Sequence, residues 1–241
     1  MFRQVGAVFS FLTIIPAGSS NLQVVARHMY LFPVVGIAIG IIVGSAAWGL
    51  SFLLEPLVVG LLVTAALVLV TGLHHIDGLS DFADGLMVRG TRERKWQVMR
   101  DPSVGSAGIV SVVLYVGGMI IALSAIRGFD LFLAIIAAEI VAKFSMVLLT
   151  SFGPSAWEGS NSDFVKSMKD RRKLGIAAAI TVLSLMLLQN NAAFAALAAG
   201  IVISLIILGI SRRSFGGISG DILGATNEMT RLASLLVFAS A

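Results

Sequence analysis

The chain alternates long apolar stretches with short polar ones. Six stretches approach the roughly 20 apolar residues that are needed to cross about 30 Å of hydrocarbon. A seventh is weaker, because Asn227, Glu228 and Arg231 interrupt it. The seven stretches cover residues 30–53, 57–73, 108–126, 131–151, 174–190, 192–210 and 222–241. The pattern predicts an all-α fold, a polytopic membrane helix bundle with about six to seven transmembrane helices.

The N-terminal segment, residues 5–16, is apolar but short, and it ends at a proline. We expect it to be interfacial or re-entrant. It lacks the basic region and the small-residue cleavage site of a secretory signal peptide. Because no repeat or long linker divides the chain, residues 1–241 are predicted to form a single integral-membrane domain.

Composition supports a membrane protein. Hydrophobic residues make up 57% of the chain and charged residues only 12%, against about a quarter charged in a typical soluble domain. The mean hydropathy is +0.97. The absence of cysteine excludes disulfides and thiolate metal sites. Nucleic acid is not an expected partner, because the basic residues are spread over several loops without interleaved aromatic residues.

Lysine and arginine are distributed unevenly between alternate loops. If the loop 74–107 is cytoplasmic, 14 of the 17 Lys and Arg residues face the cytoplasm and only Arg127 lies in an opposite loop. The asymmetry follows the positive-inside rule. Three segments at this face, about 74–107, 152–173 and 211–221, are the predicted active-site loops.

The sequence HHIDGLSDFADG, residues 74–85, follows an uncharged apolar run. If it continues the second span as a helix, Asp77, Asp81 and Asp84 fall at i, i+4 and i+7 on one face. Their mutual repulsion calls for a counter-charge, and Mg²⁺ prefers oxygen ligands and bridges carboxylates to phosphates. The alternative is a solvated acidic helix end. His74 lies on the carboxylate stripe and His75 beside it, and each is either a base or a satisfied polar residue.

A basic cluster follows the aspartates. Five cations lie within twelve residues: Arg89, Arg92, Arg94, Lys95 and Arg100. Such residues attract lipid headgroups, but beside an acidic stripe they also suit a pyrophosphate, to which arginine offers bidentate donors.

A second acidic group lies near the end of the chain. Asp221 opens a predicted helix after a glycine-rich loop, and Glu228 is seven residues further on the same face, next to Asn227. We expect Asp221 to lie close to the stripe of Asp77, Asp81 and Asp84. Two intramembrane charges, Glu139 and Lys143, are four residues apart and either neutralise each other or serve function. Weaker polar candidates lie in the loop 152–173: Glu158, Asn161 and Asp163.

Five blocks in order along the chain resemble the cobalamin-5′-phosphate synthase family. They are FLTIIP, LFPVVGIAIG, HIDGLSDFADG, RERKWQVMRDPSVGSAG and GGISGDILGATNE. One departure is Ile14, which stands where the family has arginine. The family histidine matches His75, although the helical stripe favours His74.

The resemblance implies a prokaryotic plasma-membrane enzyme that transfers adenosylcobinamide phosphate from adenosylcobinamide-GDP to α-ribazole or its 5′-phosphate, releasing GMP. A Mg²⁺ ion would be held by Asp77, Asp81, Asp84 and Asp221, with Glu228 completing its shell or orienting the hydroxyl. His75 or an aspartate would take the proton of the attacking hydroxyl. Substrate and phosphate would be bound by Arg92, Arg94, Arg100, Lys143 and Asn227. The lipid bilayer is a further partner, and a homo-oligomer is left open.

Other membrane proteins use carboxylates too. A CDP-alcohol phosphotransferase would need D-G-x-x-A-R, whereas Ser80 is followed by Asp81 and Phe82 here. A prenyltransferase would need a second aspartate-rich motif, which is missing. A cation transporter should place its carboxylates near the bilayer midplane, not beside arginines at one face.

Overall fold

A computed structural model describes residues 2–18, 21–157 and 160–241 of the chain. Within these ranges the chain is helical, with no β-strand and one isolated bridge between Ser155 and Ile218. The helices are α1 (Phe2–Leu12), α2 (Leu22–Arg27), α3 (Phe32–Leu50), α4 (Pro56–Val70), α5 (His74–Met87), α6 (Arg92–Val98), α7 (Ser106–Ala125), α8 (Gly128–Phe152), α9 (Ser160–Ser167), α10 (Arg171–Leu187), α11 (Asn191–Ser214) and α12 (Gly220–Ala239). The predicted all-α class is confirmed.

Four segments are long and apolar enough to span a membrane on their own: Met29–Leu50, Ser106–Ala125, Gly128–Phe152 and Asn191–Ser214. A fifth span is counted if α4 and α5 are taken together, but these two helices meet at 93°. Two other expected spans, α10 and α12, are not among these candidates. Helix α10 has only 17 residues, and α12 carries three charged side chains. The N-terminal helix α1, with 11 residues, reaches only about 16 Å and is too short to cross.

Helix α8 is the centre of the bundle. Of its most apolar 18-residue window, 89% is buried, against 28% for α7 and 33% for α11. Helices α3, α10, α11 and α12 surround it. Large apolar side chains on the outer helices are exposed instead, among them Leu62, Leu114 and Leu205, as expected of lipid-facing surfaces.

Glycine allows α3 and α8 to approach closely. A methyl group at Gly36 would lie 2.6 Å from the Glu139 carbonyl oxygen, and one at Gly40 would lie 2.6 Å from the Ile136 Cα. Small residues four apart are a common device for packing membrane helices. This contact explains the paired glycines of the block LFPVVGIAIG.

Candidate functional site

Helix α5 carries the acidic stripe at the end of α4. Gly72 has a φ of +70°, a left-handed conformation that glycine adopts readily, and α5 leaves at 93° to α4. Residues 74–85 are therefore helical as predicted, but they do not continue the second span. We place α5 at the end of α4, outside the spanning helices, because of this turn and its three aspartates.

The two faces of α5 differ in polarity. Leu79 and Phe82 are buried against the bundle, whereas Asp77 is exposed and Asp81 and Asp84 are half-buried. The predicted spacing thus produces one carboxylate face.

Asp221 lies alongside this stripe, as the sequence predicted. Helix α12 crosses α5 in close backbone contact. A Cβ atom at Gly78 would lie 2.7 Å from the Asp221 carbonyl oxygen, and one at Gly224 would lie 3.1 Å from the His75 Cα. Asp77 and Asp221 line the same cavity. Two acidic groups some 140 residues apart in sequence thus share one site.

Like charge accumulates where these carboxylates meet. Burial raises the pKa of Asp81 to about 7, and the negative charges of Asp77, Asp221 and Asp84 add to the rise. Burial, with Asp77 next to it, also raises the pKa of Asp221, while the Ser219 hydroxyl and Arg100 oppose that shift. A cation would relieve this repulsion. Among the described residues, however, no three acidic or histidine side chains are grouped closely enough to hold a metal ion.

Asp84 has a partner of its own. Its carboxylate accepts hydrogen bonds from the backbone N–H groups of Gly105 (2.7 Å) and Gly108 (2.9 Å) at the start of α7. A side chain at either glycine would collide with this carboxylate. Asp84 therefore occupies the N-terminus of α7, which favours negative charge. Metal binding by Asp84 stays a prediction.

Three predicted site residues lie deeper, behind His75. The Lys143 Nζ donates to the Asn227 Oδ1 (2.7 Å), and the Asn227 Nδ2 donates to the Glu228 Oε1 (2.7 Å). All three side chains are at most 1% exposed. Their contact with substrate stays a prediction, but the structure gives each a protein partner.

This buried network balances its charges. Arg231 forms ion pairs with both Glu139 and Glu228, and Glu139 also lies 3.4 Å from the Lys143 Nζ. Tyr115 donates its hydroxyl to Glu228. Two cations and two anions thus offset each other, as expected for charges removed from water. Of the two alternatives for Glu139 and Lys143, the structure shows an ion pair between them, with Arg231 as the closer partner of Glu139; a functional role stays a prediction. The roles of Tyr115 and Arg231 were not foreseen.

The network also orients His75. Its Nδ1 lies 3.3 Å from the Asn227 Nδ2, an amide donor, and 3.7 Å from a carboxylate oxygen of Glu228. When Nδ1 accepts from the closer amide, the neutral ring carries its proton on Nε2. Burial, together with the nearby charges of Lys143 and Arg231, lowers the pKa of His75 well below its usual value. His75 is therefore a neutral ring at the edge of the cavity.

The basic cluster borders the same end of the bundle. Arg92, Arg94 and Arg100 are exposed. The Arg100 guanidinium stacks 4.5 Å from the centre of the Trp157 ring, and its charge acts on Asp221. The Lys95 Nζ instead donates to three carbonyl groups at the end of α5, those of Gly85, Leu86 and Val88. Lys95 thus fixes the end of the helix. Arg92 and Arg94 make only long hydrogen bonds, to the Arg212 carbonyl (3.3 Å) and the Gln97 side chain (3.5 Å), so the exposed arginines keep donors that can meet an anion.

The three predicted loops meet at this end. Trp96 donates its ring N–H to the Phe215 carbonyl (2.9 Å), and Asn161 donates its amide to the Ile218 carbonyl (2.9 Å). Asp163 borders a neighbouring groove, and Glu158 lies outside the described residues.

A cavity of about 530 Å³ lies beside the stripe. His74, His75, Asp77 and Asp221 line one side. The rest of the lining is mostly apolar and includes phenylalanines that the polar pattern of the sequence could not indicate. An open cavity of this size, with two carboxylates in its lining, can bind an organic molecule.

The matches to known proteins cover nearly the whole chain and agree with one another. A family model described as cobalamin-5-phosphate synthase matches residues 4–239. An adenosylcobinamide-GDP ribazoletransferase of Methanocella arvoryzae is 32% identical over 95% of this chain and 92% of its own length. Enzymes of the same name from Pyrococcus abyssi and Geotalea daltonii are 34% and 32% identical, over 95% and 98% of this chain and 95% and 96% of their own lengths. No solved structure matches the chain.

Proposed function

Because the chain belongs to the cobalamin-5-phosphate synthase family, we propose that it transfers adenosylcobinamide phosphate from adenosylcobinamide-GDP to α-ribazole or α-ribazole 5′-phosphate, releasing GMP. It is an enzyme of the final steps of cobalamin biosynthesis. The observation that carries the site assignment is the close crossing of α5 and α12, which joins Asp77 and Asp221 at one cavity.

The proposed reaction is a displacement at phosphorus. The ribose 3′-oxygen of the acceptor forms a bond to the phosphorus that carries cobinamide, and the bond from that phosphorus to the GMP oxygen breaks. The hydroxyl proton passes to a base of the protein. Negative charge grows on the leaving GMP, so groups that stabilise it should supply most of the catalysis.

The donor set fits a hard divalent cation. Asp77, Asp81 and Asp221 offer carboxylate oxygens, and the raised pKa of Asp81 reflects negative charge that a cation would neutralise. When bound, Mg²⁺ would supply Lewis-acid stabilisation of the pyrophosphate. Because these side chains alone do not enclose an ion, substrate phosphates and water would complete the shell, as is usual for Mg²⁺.

The other side chains of the site have separate proposed roles in proton transfer, phosphate binding and the positioning of His75. The tautomer of His75, with Nδ1 accepting from Asn227, leaves an N–H for the substrate, which supports a carboxylate of the stripe as the proton acceptor. Under this assignment His75→Gln, which keeps an N–H donor, retains more turnover than His75→Ala; equal losses would contradict it. Arg92, Arg94 and Arg100 would hold the pyrophosphate, and Lys143, Asn227 and Glu228 would act by fixing His75.

We also propose that the site faces the cytoplasm of a prokaryotic cell. The uneven distribution of Lys and Arg supports this orientation. The chain has no cysteine, so single-cysteine variants can report sidedness. A membrane-impermeant maleimide should label Leu53→Cys, but not Ser103→Cys, in intact cells with a permeable outer layer. The reverse labelling would overturn the orientation.

The decisive experiment uses purified protein in lipid nanodiscs with adenosylcobinamide-GDP, α-ribazole and Mg²⁺. Formation of the joined corrinoid together with an equal amount of GMP is expected. Chelation should abolish turnover and added Mg²⁺ or Mn²⁺ should restore it. Absence of the corrinoid product would refute the reaction, and full turnover in excess chelator would refute the metal while leaving the reaction.

A further inference from the structure

The apolar lining of the 530 Å³ cavity includes three aromatic rings. Phe11, Phe32 and Phe164 all line it, and their ring centres lie 5.7–6.4 Å apart in tilted and edge-on arrangements. Phe32 and Phe164 are almost fully buried, whereas Phe11 is 37% exposed. Three phenylalanines from α1, α3 and α9 thus form one surface. Such a surface suits a planar aromatic group, because any aromatic base can stack favourably on protein rings.

One polar atom in this cavity lacks a partner. Asn161 is only 8% exposed and lines the cavity. Its Nδ2 donates to the Ile218 carbonyl, but within the described part of the chain its Oδ1 accepts no hydrogen bond. A buried acceptor left unpaired costs about 1–3 kcal/mol, which a ligand hydroxyl would offset.

Asn161 is connected both to the aromatic lining and to the segment that carries Asp221. It is three residues before Phe164 on α9, so both side chains lie on one helix face. Its amide is bonded to Ile218, three residues before Asp221. A molecule whose aromatic ring contacts Phe164 would therefore place its next polar group at Asn161 and a further one at the carboxylates.

Charge decides which substrate part fits. The charged residues that line the cavity are Asp77 and Asp221, and its described lining contains neither lysine nor arginine. Deep in the cavity a guanosine diphosphate group would meet no lysine or arginine. The uncharged base and ribose of either acceptor need none, while the cation proposed for the carboxylates and the exposed Arg100 near Asp221 would hold phosphate groups at the cavity edge.

Resting on the proposed function, we propose that this cavity is the subsite of the acceptor nucleoside. The aromatic base of α-ribazole lies against Phe11 and Phe164, which the buried Phe32 ring supports from behind. Its ribose 2′-hydroxyl donates to the Asn161 Oδ1, and the neighbouring 3′-hydroxyl is thereby held toward Asp77 and Asp221. The donor's pyrophosphate approaches from the arginine side. The two substrates then meet across the carboxylates.

The test compares affinities for the two substrates. Phe11→Leu and Phe164→Leu keep apolar packing but remove the ring, and each should raise the KM for α-ribazole by about fivefold or more. The KM for adenosylcobinamide-GDP should stay within about twofold of the wild-type value. Phe194→Leu on α11, a ring outside the cavity lining, is the matched control and should change neither KM.

A modified acceptor tests Asn161. Removing the 2′-hydroxyl should weaken binding to the wild type by about fivefold, the usual value of one hydrogen bond, but should cost nothing further in Asn161→Ala. An equal loss in both proteins would overturn the Asn161 contact. A raised KM for the donor with an unchanged KM for α-ribazole would put guanosine in the cavity and overturn the subsite.

Equilibrium binding of α-ribazole without the donor separates the two proposals. Weakened binding to Phe11→Leu, in a protein that shows no transfer, would uphold the subsite and refute the reaction. Transfer by the wild type, with acceptor affinity unchanged in both phenylalanine variants, would refute the subsite and uphold the reaction.

Discussion

Gly78 is the contact that joins the two acidic groups, and replacing it with alanine tests the shared site directly. The added Cβ would lie 2.7 Å from the Asp221 carbonyl oxygen and 2.9 Å from its Cα. Both are backbone atoms, so no side-chain rotation can relieve the overlap. Helices α5 and α12 must separate.

The required movement can be estimated. To bring the carbonyl from 2.7 Å to the 3.4 Å at which ordinary contact begins, the helices must part by about 0.7 Å. Overpacking of this kind costs typically 1–3 kcal/mol, while alanine regains up to about 1 kcal/mol of helix propensity. The net loss of stability is therefore about 0–3 kcal/mol. Turnover should suffer more, because a misplacement of about 1 Å can cost on the order of 10²-fold.

The control is Gly117→Ala on α7, where an added Cβ meets nothing within 4 Å. It should keep wild-type turnover with equal or slightly higher thermal stability. Transfer rates at saturating substrates and melting curves in nanodiscs measure both effects. If Gly78→Ala retained wild-type turnover and melting behaviour, the close crossing of α5 and α12 would be wrong, and with it the reason to place Asp221 in the site.

Three further perturbations address single groups. Asp77→Asn and Asp81→Asn should each reduce turnover by at least about 10²-fold, or ~2.7 kcal/mol, at normal protein levels; near-normal rates in both would leave the stripe a solvated helix face. In the presence of a chelator, the raised pKa of about 7 keeps Asp81 protonated in the folded state at pH values above its ordinary pKa of 3.8. In the unfolded chain, Asp81 is already ionised over that pH range. Melting temperature should therefore fall as pH rises through that window, and Mg²⁺ should suppress the fall; a rise would contradict it. Arg231→Met removes the cation that pairs with two buried glutamates and should cost about 3–5 kcal/mol in denaturant unfolding, whereas exposed Arg127→Met should cost little.

Periodicity and hydropathy predict the helices of this protein well, because both depend on local residue order. The stretch 131–151 becomes α8 and the carboxylate spacing becomes one face of α5. The direction of α5 could not be predicted, because it depends on the left-handed conformation at Gly72. Hydropathy also cannot distinguish a span facing lipid from α8, which is buried by its neighbours.

Only part of the site could be predicted, because only some of its residue types are unusual in a hydrophobic sequence. Carboxylates stand out in an apolar chain, so Asp77 and Asp221 could be named before their contact was known. Phenylalanine does not stand out there, and Phe11, Phe32 and Phe164 become one wall only when α1, α3 and α9 meet. Lys143 was recognised as unusual, but its sequence neighbours do not reveal that Asn227 satisfies it.

The spacing of the three aspartates makes them equivalent in sequence, and tertiary contacts make them different. Asp84 accepts two backbone N–H groups from α7, so part of its charge is already stabilised by a helix N-terminus. Asp77 is exposed at the cavity, and Asp81 lies half-buried between the other charges. Asp84 thus ties α5 to α7 through Gly105 and Gly108, while Gly78 ties α5 to α12. The stripe is held in place from both sides. Asp77, which lines the cavity, and Asp81, which lies among the neighbouring charges, remain as the carboxylates of the stripe on which a metal and its phosphates would act.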